Sequence, residues 1–143
     1  MRPPYLAIVS PWFLDRISWV IRIGNITAWP VIVSREPMTD GDKEHEEVHV
    51  AQQLELAVLA AVLVALVVVA TEAPPLAWLL LVWCFVPFIG PYFALYGVLW
   101  LVGLARYRDS VDAYYKHPME VEAYEHASST YLEGRPLFAW LRQ

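Results

Sequence analysis

Lysine and arginine are missing from the whole middle of the chain: none lies between Lys43 and Arg106. Five of the ten precede that stretch and five follow it, and the formal net charge is −5. A protein so short of positive charge has no electrostatic footprint for nucleic acid, which excludes that class of partner. Cysteine is nearly absent too. Cys84 stands alone inside an apolar run, so no internal disulfide forms and no redox compartment is indicated. From Leu76 to Ala105 there is no charged residue of either sign over 30 positions. A secretory leader is not expected, because Pro3, Pro4 and Pro11 interrupt the early segment before any continuous apolar core develops.

What the chain has instead is apolar and aromatic bulk. Of 143 residues, 58% are hydrophobic and seven are tryptophan, more than soluble domains of this size usually carry. Two apolar runs stand out. Leu54 to Ala70 holds 17 residues with one charge, Glu55, and Leu76 to Ala105 is the uncharged run. Thr71-Glu72-Ala73-Pro74-Pro75 is a turn between them, since paired prolines stop one helix and start the next. The expected architecture is mainly α and integral to a membrane, a single domain over 1–143 built on a two-helix transmembrane hairpin. Its first helix covers about 40–70 and its second span 76–105, each near or beyond one bilayer crossing in length. Pro87 and Pro91 flank Phe88-Ile89-Gly90, so a kink or break is expected there. The basic residues at both ends place both termini in the cytoplasm and the turn outside. The multi-pass reading brings the two polar ends to one face of the membrane.

Residues 1–38 admit two readings. Ile17, Trp19, Ile21 and Ile23 alternate with other residues, Gly24-Asn25 follows, and Ile26 to Val33 is apolar and β-branched, as in a short β-hairpin. The same stretch also fits an interfacial helix with Trp12, Trp19 and Trp29 at headgroup level. At the other end, His117-Pro118 starts a helix expected to run to Glu133, and the tail Leu137 to Leu141 is expected at the interface. The whole segment 106–143 is then cytoplasmic.

The chemistry sits where the first helix leaves its polar start. His45-Glu46-Glu47-Val48-His49 places two imidazoles one turn apart on one helix face, where they can share a tetrahedral Zn2+ ion. Glu46 lies about 100° round the helix, positioned to act as general base on a water at the metal. The plain alternative is a solvated acidic helix start, Asp40 to Glu47, with two incidental histidines. A catalytic zinc site needs a third protein ligand. By topology Glu120, Glu122, Glu125 and His126 share the compartment of the histidine pair.

This pairing of a His-Glu-x-x-His helix with Pro118-Met119-Glu120-Val121-Glu122-Ala123-Tyr124 downstream resembles the gluzincin metallopeptidases. It is most similar to their integral-membrane branch, of the CaaX-prenyl endopeptidase kind, and to small bacterial membrane proteins of zincin type. The resemblance covers two short windows. It implies that Glu120 is the third ligand, with Ala123 three residues on, and it places the protein in a bacterial cytoplasmic membrane. Glu122 is the second choice of ligand. The family often carries an aspartate after that alanine, where this chain has Tyr124. Gln52 or Gln53 is then a candidate to support a ligating histidine. Tyr114, Tyr115 and His126 are candidate oxyanion donors.

The expected function is a membrane-bound zinc metalloendopeptidase acting on peptide segments near the cytoplasmic membrane face. The alternative is a zinc-binding or vestigial structural subunit of a membrane complex. In that case Trp78, Trp83, Phe85, Phe88, Tyr92, Phe93, Tyr96 and Trp100 supply contact surface to lipid or to partner proteins. A pore-forming hairpin accounts for the apolar runs but leaves the histidine motif unexplained.

Overall fold

The structure is a computed structural model that describes residues 4–18, 23–127, 132 and 134–143. It is mainly helical, with a small sheet at the N-terminal end. Strand β1 (Leu6–Val9) leads into helix α1 (Pro11–Ile17), followed by β2 (Asn25–Ala28) and β3 (Val31–Ser34). The strand order is β1-β3-β2, with β1 parallel and β2 antiparallel to β3. A β-hairpin is present but not the expected one: both its strands come from the stretch 25–34, its turn is at Trp29-Pro30 and not at Gly24-Asn25, and Ile17 belongs to α1. Proline has no N–H to give to a ladder and suits a turn. Gly24 instead closes the far end of the ladder, where its carbonyl accepts from Arg35 N–H at 3.0 Å. Residues 19–22, half of the expected first strand, lie outside the described residues.

Helix α2 (Asp40–Ala70) runs for 31 residues, about 46 Å at 1.5 Å per residue. It starts on a capping box: the Thr39 hydroxyl accepts from Asp42 N–H, and the Asp42 carboxylate accepts from Thr39 N–H. It ends in a Schellman motif, with Ala73 N–H on Val68 O and Glu72 N–H on Val69 O, and Glu72 in the left-handed region. Its first half is buried at Glu46, Glu47, Val48, His49, Val50, Gln52 and Gln53, and packs on β2 and on the helices described below. Its second half is largely bare: Val58, Leu59, Val62, Leu63, Leu66, Val67 and Val69 are exposed. Among the described residues it is the one helix long and apolar enough to cross a membrane.

The second apolar run is not one helix and is interrupted in the stretch where the kink or break was expected. A 3-10 turn (Pro75–Trp78) leads into the short α3 (Leu79–Trp83). A non-helical turn follows through Gly90, and then comes α4 (Pro91–Tyr107). Pro87 and Pro91 each remove a helical donor, and Phe88 takes φ 65°. Gly90 is required there, because a Cβ on it would stand 2.9 Å from the Val86 carbonyl oxygen. Helix α4 has 17 residues, roughly 26 Å.

Arg108 reverses the chain with φ 55°, and α5 (Ser110–Tyr115) folds back along α4. Gly103 permits this close approach, since its absent Cβ would lie 3.4 Å from Ala113. Helix α6 (Pro118–His126) then lies on α2. Its expected continuation toward Glu133 falls largely outside the described residues. Leu56, Tyr92, Met119 and Trp140 form the core that joins α2, α4, α6 and the tail. Trp140 is therefore buried, not interfacial, whereas Leu137 and Leu141 are exposed.

Candidate metal centre

Helix periodicity brings His45 and His49 together on α2, with Nε2 atoms 3.1 Å apart. Helix α6 lays Glu120 across them. Its Oε1 is 3.3 Å from His49 Nε2 and its Oε2 is 3.5 Å from His45 Nε2. One ligand atom from each of the three lies within 4.8 Å of the others, the spacing of donors that share a metal ion. Glu120 Oε2 is buried and makes no hydrogen bond, while Oε1 accepts from Tyr96 hydroxyl at 2.8 Å. A buried carboxylate oxygen without a hydrogen bond is costly, and a cation between the three groups would satisfy it. Two imidazoles and one carboxylate fit a zinc ion with a coordination position left open. Burial by itself would raise the Glu120 pKa, but His49 and His45 more than offset it and hold the carboxyl well below its usual range.

The ring orientation of His49 is set from behind. Gln52 Nε2 donates to Met119 O at 3.0 Å and to Glu122 Oε2 at 2.9 Å. With both acceptors on its nitrogen side, the amide must present Oε1 to His49 Nδ1, 2.9 Å away. Nδ1 therefore carries a hydrogen, and Nε2 faces Glu120 and His45. Gln52 supports the histidine as a carboxylate does in other metal sites. Gln53, its neighbour, does something else. Its Nε2 donates to Thr27 O at 2.6 Å and its Oε1 accepts from Trp29 N–H at 2.8 Å, tying β2 to α2.

Glu122 stands outside the ligand cluster. Besides Gln52 it is held by Arg135, whose Nε donates to Glu122 Oε1 at 2.6 Å. Arg135 also pairs with Glu55, whose Oε2 accepts from Phe138 N–H at 3.2 Å. A continuous buried chain thus runs from His49 through Gln52, Glu122 and Arg135 to Glu55. Arg135 and Glu55 carried no signal in the sequence beyond being charged. Glu55 is a charge in an apolar run, and Arg135 lies 80 residues from it, so only the fold pairs them.

The remaining candidates sort clearly. Glu46 lines the same cavity as the cluster and accepts from the Thr27 hydroxyl. Asp40 and Asp42 are the solvated part of the helix start, whereas Glu46 and Glu47 are buried and Glu47 Oε1 accepts from Tyr5 hydroxyl at 3.3 Å. Tyr124 packs its ring on His45, with centroids 4.5 Å apart. Tyr114 lines the cavity, and burial followed by the Glu120 charge keeps its phenol protonated. Tyr115 is exposed and His126 pairs with Glu125 at 3.9 Å; neither lines the cavity. His117 stands at the helix start where the His117-Pro118 pair is expected to begin it. It is the N-cap of α6: Nδ1 accepts from Met119 N–H at 3.2 Å and Nε2–H donates to Tyr96 O at 3.2 Å.

The cavity over the cluster measures about 320 Å³. Its walls come from β2 on one side and α4 on the other. No family model matches the chain, and no curated protein or solved structure matches it either.

Proposed function

We propose that this protein is a zincin-like metallopeptidase of the membrane surface, with His45, His49 and Glu120 holding Zn2+ and Glu46 as general base. The observation that carries the proposal is the placement of Glu46. It lines the cavity beside the three ligands without being one of them, and Thr27 holds it. A purely structural metal site has no use for such a group. Held by these three residues, zinc would supply Lewis-acid chemistry for a peptide carbonyl and a water. Glu46 would take a proton from the attacking water as its oxygen adds to the peptide carbonyl carbon, and would give that proton to the amine nitrogen as the C–N bond breaks. The Tyr114 hydroxyl, which lines the cavity, would donate to the oxygen on which charge develops.

A peptide substrate is supported by β2. It is the edge of the sheet, and its ladder alternation turns Gly24, Ile26 and Ala28 to β3. Asn25 therefore directs its backbone groups outward, as does the Thr27 N–H, while the outward Thr27 carbonyl is held by Gln53; both residues line the cavity. An extended peptide added there passes the metal site.

The bare second half of α2 is read as the membrane-inserted part. The broken segment 75–107 then returns the chain to the same side, with the basic residues at both ends cytoplasmic. Exposed Leu76, Leu79, Val82, Phe85 and Ile89 favour a second reading, a membrane-complex subunit that keeps the site without using it. The decisive comparison is Glu46→Gln against His45→Ala in the full chain, purified in detergent and loaded with zinc. Hydrolysis of a mixed peptide library should fall about 10²-fold or more in Glu46→Gln at normal zinc content. His45→Ala should lose zinc and hydrolysis together. Zinc binding without hydrolysis of any peptide by the unaltered protein would favour the subunit reading.

A further inference from the structure

Helix α4 turns one face to the cavity, and that face has a gap in it. Phe93, Tyr96, Gly97 and Trp100 recur at the i, i+3, i+4, i+7 spacing of a single helix stripe, and all four line the cavity. Three are aromatic and the fourth has no side chain. Glycine disfavours a helix interior, so its presence calls for a packing reason. Gly103 in the same helix has one, because Ala113 fills the space where its Cβ would be. Gly97 has none: a Cβ added there meets no heavy atom within 4 Å. The space beside it is open, and Ile23 and Ile26 line the same cavity.

We propose that this stripe forms a subsite for one large apolar side chain of a peptide laid along β2, and that Gly97 sets the size it admits. The proposal rests on the peptidase reading for its substrate. The occupant follows from what surrounds it. The Asn25 backbone and the Thr27 N–H on the edge of β2 suit a peptide backbone, the Thr27 carbonyl being held by Gln53, while the opposite wall offers aromatic faces and no charge. A large apolar residue beside the scissile bond fits both walls. A charged one would be desolvated against the aromatics without a partner.

Two probes of equal metal-binding chemistry test this on the zinc-loaded full chain in detergent micelles: N-acetyl-phenylalanine hydroxamate and N-acetyl-glycine hydroxamate, each titrated calorimetrically. The phenylalanine probe should bind at least about 10-fold more tightly to the unaltered protein, the scale set by several methylenes in an apolar pocket. Gly97→Leu should abolish that advantage and leave the glycine probe unchanged. Gly97→Ala, which adds one Cβ in open space, should reduce the advantage only in part and confirms that the helix tolerates substitution. Equal binding of the two probes to the unaltered protein, or an unchanged ratio in Gly97→Leu, overturns the subsite. Peptide hydrolysis without preference for large apolar residues overturns it too and leaves the peptidase reading standing. A selective probe response with no peptide hydrolysis leaves the subsite standing and removes the peptidase reading.

Discussion

Gln52 Oε1 lies 2.9 Å from His49 Nδ1, and the amide cannot turn over, because its nitrogen is engaged by Met119 O and Glu122. The tautomer of the histidine is thus decided by a residue one helical turn away and a helix 67 residues further on. Gln52→Leu removes that constraint at similar bulk. Zinc affinity should fall by about 10–100-fold, the usual effect of losing such a partner, with the fold retained. Competition titration against a chelator measures it, and an unchanged affinity would mean that His49 is oriented by Tyr92 alone, whose hydroxyl is 3.2 Å from Nδ1.

Glu120 and Glu122 are two residues apart and have different partners. Glu120→Ala should remove a ligand and reduce bound zinc to background. Glu122→Ala should keep measurable zinc but weaken it, since it loosens Gln52 and frees Arg135. Metal analysis after gel filtration separates the two. Loss of zinc only in Glu122→Ala would reverse the ligand assignment.

Arg135 is buried between Glu55 and Glu122, both buried as well. Arg135→Met leaves two buried carboxylates without their counter-ion and should destabilise the fold by about 3–5 kcal/mol. Adding Glu55→Gln and Glu122→Gln should recover part of that loss, because the uncompensated charges go. Arg135→Lys should be intermediate, as a single ammonium does not present a planar fork to two carboxylates. Thermal unfolding in detergent reads all three; a midpoint for Arg135→Met within a degree of the unaltered protein would contradict the assignment.

His117 makes the helix that carries Glu120 sensitive to acid. Burial lowers its pKa below 6.5, and the Nδ1 that caps Met119 N–H must be unprotonated. The unfolded chain therefore binds more protons than the folded one just below pH 6.5. The stabilisation is complete above that pH and is lost as the pH falls through 6.5 toward the lowered folded value. His117→Asn keeps a capping side chain and removes the titration. Its unfolding midpoint should fall less between pH 7.5 and pH 5.5 than that of the unaltered protein; equal losses would assign the acid sensitivity to other groups.

The sequence by itself determined what depends on near neighbours. Thr39 with Asp42, the four-residue spacing of His45 and His49, and the absence of proline from 40 to 70 are enough to specify α2 and the facing imidazoles. Pro87, Gly90 and Pro91 likewise forecast the interruption of the second apolar run, although the run's hydropathy made it look like one span. Tertiary structure decided the rest, because it depends on contacts between residues far apart in the chain. Proline chemistry moved the hairpin turn to Trp29-Pro30, and the sheet order made β2 an edge. The choice between Glu120 and Glu122 rested on Arg135, which claims Glu122 from the C-terminal tail. The role of Gln52 over Gln53 rested on which of two adjacent amides met α6 and which met β2. A side chain's chemistry is local, but its partner in a buried network is whatever the packing brings within 3 Å, and that is not written in spacing along the chain.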